Sequence, residues 1–156
     1  MDAALTIRPL ATDESPPWDL LLLADPSRQR VQEYLAHGLC YVAFLDHALV
    51  GEFVLLQTGP QIFELMNVAV VENYQGQGWG KKLVQAAIAQ ARSLGAVTLN
   101  VGTGNSSLSQ LALYQKCGFR IVGVERDFFT QHDEPEIVEN GIRCVDMLRL
   151  CITLEE

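Results

Sequence analysis

Gln75-Gly76-Gln77-Gly78-Trp79-Gly80-Lys81-Lys82 lies between an apolar run, Ile62 to Val71, and an amphipathic segment, Lys81 to Leu94. Three alternate glycines at such a junction let the backbone turn sharply and bring its N–H groups close to a ligand. The first N–H groups of a helix have no partner within the helix, and the helix dipole favours negative charge there. The stretch therefore reads as a phosphate site made of main chain.

Which phosphate it holds depends on the spacing. A dinucleotide fingerprint needs G-x-G-x-x-G and an acidic residue about 20 positions on. Here the third glycine comes one residue early, and position 100 is Asn100. A P-loop needs G-x-x-x-x-G-K-[ST]. Gly80-Lys81 fits it, but Gln75 replaces the first glycine and Lys82 the magnesium-binding hydroxyl residue. A third pattern, Q/R-x-x-G-x-G/A, is matched in full by Gln75 to Gly80.

The surrounding pattern is that of one α/β domain spanning 1–156. Leu5 to Leu10 reads as a strand and Thr12 to Pro17 as loop. Asp25-Pro26-Ser27 starts a helix with Asp25 as cap, and the helix ends at Gly38. Cys40 to Leu45 and Leu49 to Gln57 form a hairpin around Asp46-His47-Ala48. Ile62 to Val71 is apolar on both faces, with Ile62, Met66, Val68 and Val70 on one and Phe63, Leu65, Ala69 and Val71 on the other. It is therefore a central strand. Leu83, Val84, Ala87, Ile88, Ala91 and Leu94 recur at helical spacing before Gly95. A strand from Val97 to Val101, a helix from Leu108 to Cys117 and strands at Ile121 to Arg126 and Arg143 to Leu150 follow. A long loop, Asp127 to Gly141, separates those last two strands. Hairpin strands first and alternation later make the sheet mixed, mostly antiparallel and flanked by helices.

Composition narrows the function. At 49 % apolar and 19 % charged, the chain is ordinary for a soluble domain. No run approaches the ~20 apolar residues of a bilayer span, and Met1 to Leu5 lacks a basic export region. A cytoplasmic protein is expected. Nineteen acidic residues against 11 basic ones give a net charge of −8. Nucleic-acid partners are disfavoured, whereas a cationic amine would be attracted. Cys40, Cys117, Cys144 and Cys151 form no C-x-x-C pair and His37, His47 and His132 are scattered, so no metal is expected.

The order of elements, the loop and Leu113-Tyr114-Gln115-Lys116-Cys117-Gly118-Phe119-Arg120 together resemble the GNAT superfamily of N-acetyltransferases. The second motif resembles the family's L-Y-x-K-x-G-F and falls about 35 residues after the loop. Glu64 to Val70 resembles the family's cofactor strand, and Val101 to Ser107 is similar to a YvbK-like bacterial branch. The resemblance implies acetyl-CoA in a split between the two central strands. It implies main chain of Val68, Ala69 and Val70 along the pantetheine, and Gln75, Gly76, Gln77, Gly78, Trp79, Gly80 and Lys81 around the pyrophosphate. It also implies a cofactor contact from Asn105, nine residues before Tyr114.

Acetyl transfer to an amine needs a base, an oxyanion donor and an acid for the leaving thiolate. Glu64 is the sole carboxylate in its apolar strand and the first candidate base, with Asp46, Glu125, Asp127 and His132 behind it. The resemblance makes Tyr114 the acid and a backbone N–H near Val68 the oxyanion donor. Phe119 reads as core. Acceptor contacts are expected from Trp18 to Arg30 and from Asp127 to Asn140, which carries Asp127, Asp133, Glu134, Glu136, Glu139, Phe128 and Phe129. That mixture suits a cationic small-molecule amine. An acyl-CoA sensor and a protein N-terminal or lysine acetyltransferase are the alternatives, and a homodimer is an expectation of the family resemblance alone.

Overall fold

The computed structural model describes residues 4–130 and 135–154. His132, Asp133 and Glu134 lie outside these residues. A seven-stranded sheet runs in the order β1 (Leu5–Pro9), β2 (Leu39–Leu45), β3 (Ala48–Gly59), β4 (Ile62–Val70), β5 (Thr98–Gly104), β9 (Met147–Thr153), β6 (Arg120–Glu125). All neighbours are antiparallel except β4 and β5. A small hairpin, β7 (Val138–Glu139) with β8 (Ile142–Arg143), stands apart from it.

Helices α3 (Trp79–Ser93) and α4 (Leu108–Lys116) cover one face. Leu83, Val84, Ala87 and Ala91 are fully buried there against Phe53, Leu55, Phe63 and Leu99. Helices α1 (Trp18–Ala24) and α2 (Arg28–Leu35) cover the other, where Leu21, Val31 and Tyr34 meet Cys40 and Val54. No helix of the described residues is long and apolar enough to cross a membrane.

Four expectations are corrected. The sequence suggested one N-terminal helix capped by Asp25, but there are two. Asp25 closes α1, and Ser27 caps α2 by accepting from Arg30 N at 3.3 Å. The four leucines of α1 form an unbroken apolar run, which hides helical period. The long loop contains a 3-10 turn (Phe128–Thr130) and the β7–β8 hairpin. The last sheet strand starts at Met147 rather than Arg143, which belongs to β8.

The fourth correction lies in β4. Leu55 stands opposite Leu65, and Val54 opposite Asn67, so Met66 is an extra residue. This bulge resets the alternation of faces. Phe63, Leu65, Val68 and Val70 share the α3 side, while Met66 packs with the α1–α2 cluster. The sequence pattern had separated Phe63 and Leu65 from Val68 and Val70.

Candidate functional site

Strands β4 and β5 pair over four residues only, from Ile62 opposite Thr98 to Leu65 opposite Val101. Beyond that point β4 stays with β3, β5 follows β9, and a split opens between them. Val71 N donates to Val50 O at 2.7 Å, so 50 and 71 are a hydrogen-bonded pair. Antiparallel ladders alternate such pairs with non-bonded ones. Ala69 is therefore spent on Glu52, and the polar main chain of Val68 and Val70 turns outward into the split. Gln75 Nε2 occupies the Val70 carbonyl at 3.0 Å, which leaves both N–H groups and the Val68 carbonyl as an open strand edge.

The glycine stretch closes the wide end of the split. Gly76 and Gly78 adopt left-handed φ of 77° and 88°, where a side chain is disfavoured. Gly78 is the N-cap of α3, which starts two residues before the sequence pattern indicated. At this end Lys82 N donates to Gly78 O at 3.4 Å. Helix geometry leaves the N–H groups of Trp79, Gly80 and Lys81 without a helical acceptor. Gln77 Nε2 donates back to Asn73 O at 3.2 Å, and Lys82 lies 4.8 Å over the Trp79 ring. A Cβ on Gly80 would sit 3.5 Å from Leu113, so α3 and α4 meet closely at this corner.

Tyr114 on α4 is buried, edge-on to Phe119 with ring centroids 5.8 Å apart. Gln110 Nε2 donates to its hydroxyl oxygen at 3.3 Å, which leaves the phenolic proton for another acceptor. Burial raises the pKa of this phenol, opposed by the Gln110 bond and reinforced by Glu52 and Cys117. The group remains protonated, as a proton donor must. Phe119 is core, as its motif position suggested.

Glu64 lies on the α1–α2 side at the closed end of the split. Arg149 of β9 reaches across β5 to it, with Nη1 3.2 Å from Glu64 Oε2, and also binds Glu125 Oε1 at 2.7 Å. The crossing depends on Gly102, whose added Cβ would meet Met147 Sδ at 2.6 Å and Arg149 Nη1 at 3.2 Å. Glu125 is thus brought to Glu64. Asp46 occupies the β2–β3 turn, and Asp127 follows β6, where its N–H donates to Asp146 Oδ1 at 2.8 Å.

The carboxamide of Asn105 is engaged locally. Its Nδ2 donates to Arg143 O at 3.1 Å, and its Oδ1 accepts from Val145 N and Asp146 N at 2.8 and 2.9 Å. Ser106 and Ser107 hydroxyls donate to Glu139 at 3.1 and 2.9 Å, and Asn140 Nδ2 donates to Ser106 O at 2.9 Å. The Gly102–Ser107 run therefore anchors the β7–β8 hairpin. The two segments expected to contact the acceptor do approach one another, since Arg30 of α2 lies 5.8 Å over the Phe128 ring.

Arg149, Asn67 and Glu52 escaped the sequence reading. Each is a polar residue flanked by apolar ones in a mostly apolar strand, the same signal that singled out Glu64.

Residues 7–119 match the Acetyltransferase (GNAT) family. The uncharacterized N-acetyltransferase YvbK of Bacillus subtilis is 55 % identical over 137 residues, 88 % of each chain. An acetyltransferase of Bacillus subtilis solved in complex with CoA superposes with a TM-score of 0.92 at 51 % identity, covering 97 % of this chain and all of that one. A GNAT family acetyltransferase of Elizabethkingia anophelis with acetyl-CoA bound gives 0.93 at 41 % identity, covering 96 % and 98 %.

Proposed function

Because the chain belongs to the GNAT acetyltransferase family and is an acetyl-CoA-dependent N-acetyltransferase, we propose that it acetylates a primary amine of a small cationic molecule by direct attack. The observation that carries this reading is the pairing of an open strand edge with a helix N-terminus. Val68 and Val70 offer unpaired main chain along the split, and the left-handed glycines direct N–H groups to its end. These residues fit acetyl-CoA: an extended amide chain can add to a free edge, and a pyrophosphate to a helix start. When bound, it supplies an acetyl group activated as a thioester.

The chain's own residues supply the rest. Gln75 to Lys81 hold the anionic end, with Lys81 adding a charge-assisted contact. Val68 N–H is the donor available to a developing oxyanion. Glu64 takes the amine proton, directly or through a water, while Arg149 holds its carboxylate in place. Tyr114 gives its phenolic proton to the leaving sulfur. Asn105 supports this end of the site through its side-chain bonds to 143–146, and since its N–H donates to Asp146 O at 3.0 Å, a main-chain contact to the donor falls to its carbonyl. Acidic groups around the acceptor side, Glu64 and Glu125 against Arg149, leave a net negative charge that favours a cation.

The test is a thermal-shift and thiol-release screen with acetyl-CoA against polyamines, aminoglycosides, amino acids and N-terminal peptides. Acetyl-CoA at 100 times its Kd is expected to add about 2.7 kcal/mol of stability. Thiol release should appear with a polyamine or aminoglycoside, and Tyr114→Phe should depress kcat far more than acetyl-CoA affinity. Turnover confined to the peptides would replace the small-molecule reading by a protein acceptor.

A further inference from the structure

Two interior side chains carry hydrogen-bonding capacity that no neighbour meets. Glu52 of β3 is fully buried, and neither of its carboxylate oxygens has a partner. Asn67 of β4 is 4 % exposed; its Nδ2 donates to Leu21 O at 3.0 Å and to Tyr34 Oη at 2.8 Å, while its Oδ1 has no partner. Unpaired polar atoms at such depth are rare and call for an explanation.

Their placement supplies one. Glu52 stands opposite Ala69 and Asn67 opposite Val54, one diagonal step apart on adjacent strands. Gly51 and Phe53 face α3, so Glu52 faces α1 and α2, as Asn67 does through its bonds to Leu21 and Tyr34. Diagonal neighbours in a ladder are about 7–8 Å apart, within reach of a long side chain. Two acceptors side by side in a dry interior repel. One proton turns them into a carboxylic O–H donating to an amide oxygen.

We propose that Glu52 is a positioning residue for the transfer reaction: as a carboxylic acid it donates to Asn67 Oδ1 and locks that carboxamide in place. Through Leu21 and Tyr34 the locked carboxamide clamps the α1–α2 wall to β4 at the residue next to Val68, whose edge receives the acetyl donor. The bond itself stands on the interior geometry, whereas its consequence for catalysis rests on the acetyltransferase reading.

The surroundings favour the protonated form. Burial alone drives the Glu52 pKa well upward. Tyr34 of α2 and Cys40 of β2 lie on the Glu52 side of the sheet and feel its charge, as does Tyr114 of α4 from the α3 side. Arg30 is paired with Asp25 at 3.1 Å, Arg149 with Glu64 and Arg8 with Glu14. Asp19 of α1 is exposed. Raising the pH sends the Glu52 proton to solvent and leaves Asn67 Oδ1 facing a carboxylate, so the clamp opens on the acceptor side while the glycine loop is untouched.

The experiment follows the Asn67 side-chain amide by 15N NMR from pH 5 to 10 in the full chain, with spermidine and acetyl-CoA kinetics alongside. The wild-type Asn67 resonance should titrate in one step, and Glu52→Gln, which keeps a donor, should hold it constant. Across that step the spermidine KM should rise at least tenfold while the acetyl-CoA Kd stays within twofold. Glu52→Met should show the high-pH KM at every pH, and Glu52→Gln should rescue it. An Asn67 resonance that does not titrate, or that titrates equally in Glu52→Gln, overturns the proposal, as does a low-pH KM in Glu52→Met equal to wild type. The resonance decides the bond whether or not spermidine is turned over, so failure of the clamp and failure of the amine reading are distinguished.

Discussion

At the residue scale, the most consequential side chain is one whose buried carboxylate oxygens have no hydrogen-bond partner. Glu52 has a pKa raised above its unfolded value near 4.5 by burial. A group raised in this way contributes stability that is complete below the unfolded value and is lost as pH rises toward the folded one. Urea midpoints should therefore fall between pH 5 and 8, with a slope approaching about 1.4 kcal/mol per pH unit at its steepest. Glu52→Gln should flatten that slope. Cys40, pushed up to about 12 by burial, and the raised tyrosines Tyr34 and Tyr114 add the same sign only above their ordinary values of 9.0 and 10.0. The interval from pH 5 to 8 thus isolates Glu52. A slope unchanged in Glu52→Gln would assign the effect to another group.

At the scale of elements, the glycine loop and α3 act as one unit. Gly78 has no atom within 4 Å of an added Cβ, so the barrier to a side chain there is its φ of 88° and not space. Forcing alanine into left-handed backbone costs about 1–2 kcal/mol. Gly78→Ala should relieve that strain by turning the loop N–H groups, weakening acetyl-CoA binding by roughly tenfold. Gly95, with φ of 91° and equally open surroundings, ends α3 at the far side. Gly95→Ala should lower the Tm similarly and leave the calorimetric Kd unchanged. Equal Kd losses in both variants would place the effect in overall stability.

Element types were largely legible because periodicity records them. The amphipathic repeat from Leu83 to Ala91 marks α3, and the two-sided apolar run marks β4 as central. What escaped the pattern has local physical causes. The leucine run of α1 carries no polar phase, and the Met66 bulge is set by pairing with β3, which a strand's own residues do not encode. Among the proposed site residues, Tyr114 and the loop could be picked out from their motifs. Arg149 was not, since its partner Glu64 is 85 positions away.

At the scale of the whole molecule, the sheet is two half-sheets joined at the base of the split. Four parallel pairs and the Arg149 bridge hold β4 to the β5–β9–β6 half. The bridge is partly exposed, so its loss should change stability by less than about 1 kcal/mol. Its position between Glu64 and Glu125 nonetheless holds both carboxylates together on the proposed acceptor side. Arg149→Met should lower kcat/KM for the amine at least tenfold with little change in Tm. Loss of stability in proportion to activity would make the bridge structural only.

The glycine stretch, the Tyr114 motif and the alternation of elements lie in short, contiguous sequence, and each carries its own backbone requirement. From them the sequence by itself determined the fold class and the acetyl donor, and it marked the loop proposed as the phosphate end of the site. The proposed acceptor side could be drawn only from tertiary structure, because its parts come from β3, β4, β9, α1 and α2. A buried acid, a bulge and a bridge across the split exist only once those segments pack, since burial and cross-strand register are properties of the folded chain.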